Sequence, residues 1–464
     1  MYAVALFAVL LVASAESSGV FYALTDNGID IINAKNLNVV KRLPHDMAVP
    51  GTDKPLCTRS PRYKSACGWG GAAVVPGRFV FVADSYGNRV IVLDAKEAKP
   101  VSSIQTNGFP YMLKYITALD EVWIHCWKNS YLDVVGSREG ATAIQTIKNA
   151  SSLIVSHSIK AQVADSYKDV MHGYFEAENC QNINRNIQYG VVTHFNEPGI
   201  HKIDLAKKMY AKFINTSMYG CKSTFGLAYS SVKNYAFVQC LGILRGHRQR
   251  MMVVVDLTRD AVIHAADAIT DKATGSPFAS PDGKYVLVLN KRQIITYYME
   301  KDTRKIKRLR SIPLPKFMPS RVAFLKTADG YHAYVTSKMF QKLLVITYKR
   351  GSIDKINTIG GVGQFAKISE ERIQKNRAIY MKYYKLMLAK SQQPFSEEKF
   401  QRYVERMFFE HVRRPISVGC NLKSRYIGTP ATVANKIAII DGKKMELVGL
   451  VTGVKGPRQL VWVD

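Results

Sequence analysis

The residues of this 464-residue chain that could do chemistry fall into basic runs, cysteines and histidines. The run RGHRQR holds Arg245, Arg248 and Arg250, and RKIKRLR holds Arg304, Lys305, Lys307, Arg308 and Arg310. Closely spaced guanidinium and ammonium groups make charge-assisted bonds to sulfate, phosphate and carboxylate, so these eight side chains are polyanion-binding candidates. RGHRQR reads as a loop. RKIKRLR reads as an outer strand, with Lys305 and Lys307 on one face and Arg304, Arg308 and Arg310 mostly on the other. A Lys-rich outer strand also protects an open sheet edge from pairing, and that reading stands beside the first. Both runs look like exposed proprotein-convertase sites, without matching a strict consensus.

Seven cysteines follow a leader-like N-terminus. Residues 1–15 read as a signal peptide: an apolar run from Ala3 to Val12 precedes the small-residue step Ala13-Ser14-Ala15. Secretion permits disulfides, and two are expected. Cys57 and Cys67 flank a short loop, and Cys221 and Cys240 bracket a hairpin. Cys126, Cys180 and Cys420 are left unpaired by the sequence. The sequons at Asn149 and Asn215 are glycosylation candidates, in keeping with secretion.

Catalytic motifs do not appear. The chain has no HExxH, GxSxG, Walker loop or CxxC, and its ten histidines look dispersed. In WIHCW, strand alternation sends His125 and Cys126 to opposite faces and groups Cys126 with Val122 and Ile124, which is core behaviour. No catalytic residue, metal ligand or cofactor is expected, and the chain reads as a binding protein rather than an enzyme.

The elements that must position these residues recur every forty-odd positions. In the clearest copy, Phe79–Val82 runs into a turn at Tyr86-Gly87-Asn88 and is followed by Val90–Asp94. Alternating β-branched and aromatic residues between turn residues are strand chemistry. The second half recurs as GIDIINA, GIHKIDLA, MMVVVDLT, KLLVITYK and KIAIIDGK, with an Asp or Asn placed to cap the next turn. About eight such units begin near residues 19, 68, 109, 168, 222, 275, 319 and 417. The pattern predicts an all-β fold, a β-propeller of eight blades over residues 16–464, or seven if the weak fourth unit is a loop. The first unit lacks an innermost strand and the chain ends on a lone one, Arg458–Val463, so the last strand should close the ring.

One segment breaks the pattern. Over residues 368–412 the period becomes 3.6, predicting a helical hairpin inserted between the last two blades. Ser396 is its expected N-cap, Glu397 and Glu398 suit the first turn, and Arg413 and Arg414 suit the end. The stripe Phe400, Tyr403, Val404, Met407, Phe408, His411 and Val412 is expected to pack on the propeller. As a docking element or cap, the hairpin would instead face a partner.

Colinear stretches across the mature chain, among them CGWGGAAV (Cys67–Val74), EVWIHCW, CKSTFGLAYSSVKNYAFVQC (Cys221–Cys240) and GVKGPRQLVWV (Gly453–Val463), give it a family likeness. It resembles the C-terminal propeller-like region of the multi-domain follistatin-related proteins. The Kazal, EF-hand and immunoglobulin-like modules of that family have no counterpart here, so its calcium binding and growth-factor capture are not implied. The resemblance implies a secreted propeller of interaction type.

Charge bounds the partner. Sixty-five Lys and Arg against 36 Asp and Glu give a formal charge of +29, a field that attracts polyanions. Outside the cell the acidic candidates are polysaccharide, extracellular protein or a mineral-associated matrix; nucleic acid is not expected, nor is a membrane span. The alternative is a secreted signalling or scaffold protein that binds a protein through the propeller's loop face, with incidental charge.

Overall fold

The computed structural model describes residues 19–463 apart from 60, 62–65, 128–130, 137–154, 161–174, 177–187, 195–196, 245–246, 268–274, 291–292, 301–305, 315–316, 392–393, 411–412 and 419–424. The expected signal peptide, Asn149, Cys180, Arg245, Arg304, Lys305, Cys420, His411 and Val412 lie outside the described residues.

Eight antiparallel sheets form the blades of a propeller. Counting strands A to D from the inside outward, the A strands of blades 2 to 8 begin at Trp69, Pro110, Phe175, Cys221, Ser276, Pro319 and Ser417. The weak fourth unit is a blade in its own right. Its strands are Phe175–Glu176, Tyr189–Thr193, Gly199–Asp204 and Met209–Asn215.

Blade packing explains why the middle strands read as unbroken apolar runs. Each is covered on both faces by neighbouring blades, so Phe79–Asp84 and Tyr285–Leu289 are buried at every position. The D strands face water on one side, and Lys99–Gln105 accordingly alternates between exposed and buried. Eight apolar clusters fill the eight blade-to-blade gaps. One joins blades 2 and 3 through Phe81, Val92, Leu113 and Ile124, and includes the free thiol Cys126.

Turn chemistry follows the expected caps. Asp94 Oδ1 accepts the amides of Lys96 and Glu97 (2.8 and 2.7 Å). Asp441 does the same for Lys443 and Lys444, at 3.0 Å each. The acid ending strand C thus fixes the turn into strand D.

The ring is closed by the chain's own end. Gln459–Val463 is the A strand of blade 1 and pairs antiparallel with Val20–Thr25, setting Phe21 opposite Trp462. Those rings meet edge to face at 4.8 Å, in the cluster that joins blade 8 to blade 1. Close approach there needs glycine: a Cβ on Gly19 would lie 2.1 Å from the Trp462 ring. Both expected disulfides are present, Cys57–Cys67 and Cys221–Cys240, the second joining strands A and B of blade 5. Among the described residues no helix is long and apolar enough to cross a membrane.

The helical insertion differs from expectation in three ways. It holds three helices, α1 (Glu370–Lys375), α2 (Arg377–Ser391) and α3 (Glu397–Glu410), because the first helix stops at Asn376. Its apolar stripe packs inside the insertion, where Phe400 and Val404 meet Ile368, Ile373, Tyr384 and Leu388 in a core of their own. Arg413 and Arg414 lie beyond α3 and do not form its last turn. Ser396 is the N-cap as expected, with its hydroxyl accepting the Lys399 amide at 3.4 Å. Arg377 on α2 forks onto Glu397 on α3 (2.9 and 2.8 Å).

Two outcomes test this packing. Trp462→Ala should lower stability by about 3–5 kcal/mol through loss of the seam's largest side chain, measured by denaturant unfolding. A change below about 1 kcal/mol would mean that the seam does not carry the ring. Phe400→Ala should make residues 370–410 sensitive to limited proteolysis while the propeller's main unfolding transition stays in place.

Candidate functional site

The A strands turn their inner side to the propeller axis and enclose a cavity of 350 Å³. Its wall carries Lys114 from blade 3, Arg321 from blade 7, and Arg413 just before blade 8. Ser276, Ser280, Ser320 and Ser417 also line it, and among the described residues no Asp or Glu does. A cavity of this size suits a small ligand or one or two units of a larger one.

Both arginines have a physical support. Arg321 is half-buried, with its guanidinium over the Phe278 ring at 5.6 Å and its backbone amide donating to Thr336 Oγ1 at 3.1 Å. Among the described residues neither Arg321 nor Arg413 is paired with a carboxylate. Arg413 is held by its neighbour. Arg414 is buried, and its amide donates to Ser320 Oγ at 2.8 Å. Its guanidinium donates to the carbonyls of Phe340 (3.1 Å) and Val362 (2.6 Å). Burial pushes the Arg414 pKa down to about 10, still well above neutrality, so the group stays charged. One buried guanidinium thus pins the segment that presents a second to the cavity.

The basic runs are elsewhere. Residues 247–250 are not loop: they extend strand C of blade 5, with Arg248 and Arg250 in register with Ile243 and Leu241. Arg250 is exposed. The physical reason is the ten-residue apolar strand Tyr235–Leu244, which pairs along its whole length and draws the polar run into the hairpin. Lys307 and Arg308 sit exposed on strand D of blade 6, the outer strand expected for them, and Arg310 is exposed just after it. None of these lines the cavity. Asn215 ends strand D of blade 4, exposed and accessible to modification.

The histidines are less dispersed than chain order suggests. His194, Glu197 and His201 come together in blade 4, with one ligand-type atom from each lying within 4.8 Å of the others. Burial alone would raise the Glu197 pKa, but His194 and His201 hold it down to about 2. Burial lowers His194 as well, so the imidazole is neutral at pH 7.

No family model matches the chain. Solved structures with similar folds include apo AztD from Citrobacter koseri, at TM-score 0.53 and 13% identity, covering 96% of this chain and 98% of that one. Another is the dihydro-heme d1 dehydrogenase NirN in complex with DHE, at TM-score 0.54 and 11% identity, covering 96% of this chain and 75% of that one. Identities this low establish the propeller fold and nothing of activity.

Arg414→Ala should cost about 1–3 kcal/mol for each carbonyl it leaves unbonded. Arg414→Lys should not restore the loss, because one ammonium lacks the fork that reaches two separate carbonyls. Denaturant unfolding of the two variants checks both statements.

Proposed function

We propose that this protein is a secreted binding protein that holds an acidic extracellular partner in the central cavity of its propeller. The partner class is an acidic polysaccharide, an acidic segment of an extracellular protein, or a mineral-associated acidic matrix. One observation carries the reading: Lys114, Arg321 and Arg413 share a cavity that no carboxylate lines among the described residues. Three cations at a concave, partly desolvated wall attract an anion more strongly than the same charges spread over open surface. The overall charge of +29 would raise the encounter rate, and the exposed cations on blades 5 and 6 would lengthen the contact with a polymer. Two disulfides and the sequon at exposed Asn215 support secretion. The colinear likeness to a secreted family supports binding over catalysis.

A second reading has its own observation. On α2, Ile379, Tyr383 and Leu386 share one face and are each more than half exposed. Their spacing makes an apolar stripe pointing away from the insertion's core. A scaffold protein that binds a protein partner would use such a face, and the cavity's charge would then be incidental.

Chromatography separates the two. The wild type should be retained on heparin and elute only at elevated salt. Arg321→Glu/Arg413→Glu should elute at clearly lower salt although it alters only two of 65 cationic side chains. A matched rim variant, Lys307→Glu/Arg308→Glu, should move less. Equal shifts for the two variants would assign retention to general charge and favour the scaffold reading.

A further inference from the structure

In sequence, HFNEPGIH (His194 to His201) links strands B and C of blade 4. His194 directly follows strand B, Glu197 lies between the two strands, and His201 is the third residue of strand C. The three side chains converge on one point. Glu197 Oε2 lies 3.1 Å from His194 Nδ1 and 2.6 Å from His201 Nε2, and the two imidazole centroids are 4.7 Å apart. All three side chains are at most 3% exposed.

The backbone around them is held from the next blade. Thr224, on strand A of blade 5, donates its amide to Glu197 O at 3.0 Å. Its hydroxyl lies 2.8 Å from Gly199 O and 3.2 Å from His194 O. Phe213 packs on the His201 ring, and a Cβ on Gly199 would come within 2.5 Å of Phe213. The donors are therefore preset, not gathered from mobile chain.

Hydrogen bonding within the group leaves it incomplete. His194 Nδ1 and His201 Nε2 both face the Glu197 carboxylate. No Lys or Arg is paired with Glu197 among the described residues. The outward nitrogens, His194 Nε2 and His201 Nδ1, are buried with no partner. So is Nδ1 of His125, a buried histidine of blade 3 within electrostatic reach of His194. A dication would supply the positive charge that the buried carboxylate lacks, with the two imidazole nitrogens as its further ligands.

Two histidine nitrogens and a carboxylate oxygen are the donor set of zinc and its neighbours in the first transition row, not of calcium or magnesium. Tetrahedral ligands about 2.0–2.1 Å from a zinc ion stand about 3.3 Å from one another. The observed Glu197 separations of 2.6 and 3.1 Å lie fractions of an ångström below that value, and all three ligand atoms lie within 4.8 Å of one another. Three protein ligands leave a fourth position for an exchangeable ligand such as water.

We propose that His194, Glu197 and His201 form a binding site for one zinc-class divalent cation in blade 4. The site is separate from the anion cavity and does not depend on the function proposed for it. The test uses the full chain stripped with a chelator and titrated with Co²⁺, whose visible absorption reports tetrahedral coordination, followed by displacement with Zn²⁺. One equivalent should bind, with an intense visible band that Zn²⁺ abolishes. His201→Asn and Glu197→Gln should weaken binding by about 100-fold or more, taking the upper end of what even an outer partner of a ligand is worth. Near-ultraviolet circular dichroism shows whether each variant is folded. Zn²⁺ should also raise the unfolding temperature of the stripped wild type in a concentration-dependent way. Failure of the folded wild type to bind either metal at micromolar concentration would overturn the proposal, whatever the variants do. Unchanged affinity in either folded variant would overturn it equally, by placing the metal elsewhere.

Discussion

Pairing between Gln459–Val463 and Val20–Thr25 is the constraint on which the other features rest. Every blade buries both faces of its middle strands, so each needs two neighbours, and a ring is the only arrangement that leaves none short. Blades 8 and 1 obtain theirs only when the last strand returns to the first, across the cluster built from Phe21, Ile437, Ile439 and Trp462. The closed ring sets the distance between A strands. That distance defines the central cavity and brings Lys114, Arg321 and Arg413 to one wall. Residues 299 positions apart in sequence line one cavity through ring geometry, not through any local motif.

This division also marks what the sequence can show. Features confined to one unit were readable from residues alone. The capped strand C, the two short disulfides, the missing inner strand and the orphan at the end all follow from local chemistry at recognisable spacing. The cavity cations were not readable, because nothing in a lone Lys114 or Arg321 says that its strand is innermost. A charged side chain within an otherwise apolar first strand was the available signal. His194, Glu197 and His201 failed to register for another reason. Metal-ligand spacing is usually sought along a helix, whereas here the pairing of two strands brings the donors together. The basic runs drew notice by density, yet density is a surface property: Arg250 is exposed on strand C of blade 5, and Lys307 and Arg308 on the outer strand of blade 6.

The helical insertion behaves as a separate small module. Its core draws only on its own residues, and the Arg377–Glu397 fork ties its two long helices together. That leaves the propeller to supply one partner surface and the insertion another. Arg413 and Arg414 mark the boundary: the chain leaves α3, anchors through a buried guanidinium, and enters blade 8 with a cation on the cavity wall. A change in the insertion could therefore reach the cavity through this single junction.

The account's central claim is that the ring's interior, not its charged exterior, holds the acidic ligand. Crystals soaked with a sulfated disaccharide test it most directly. The account predicts electron density in the central cavity, with sulfate groups within hydrogen-bond distance of Arg321 and Arg413. Density confined to the outer strands of blades 5 and 6, with the cavity holding only water, would contradict it.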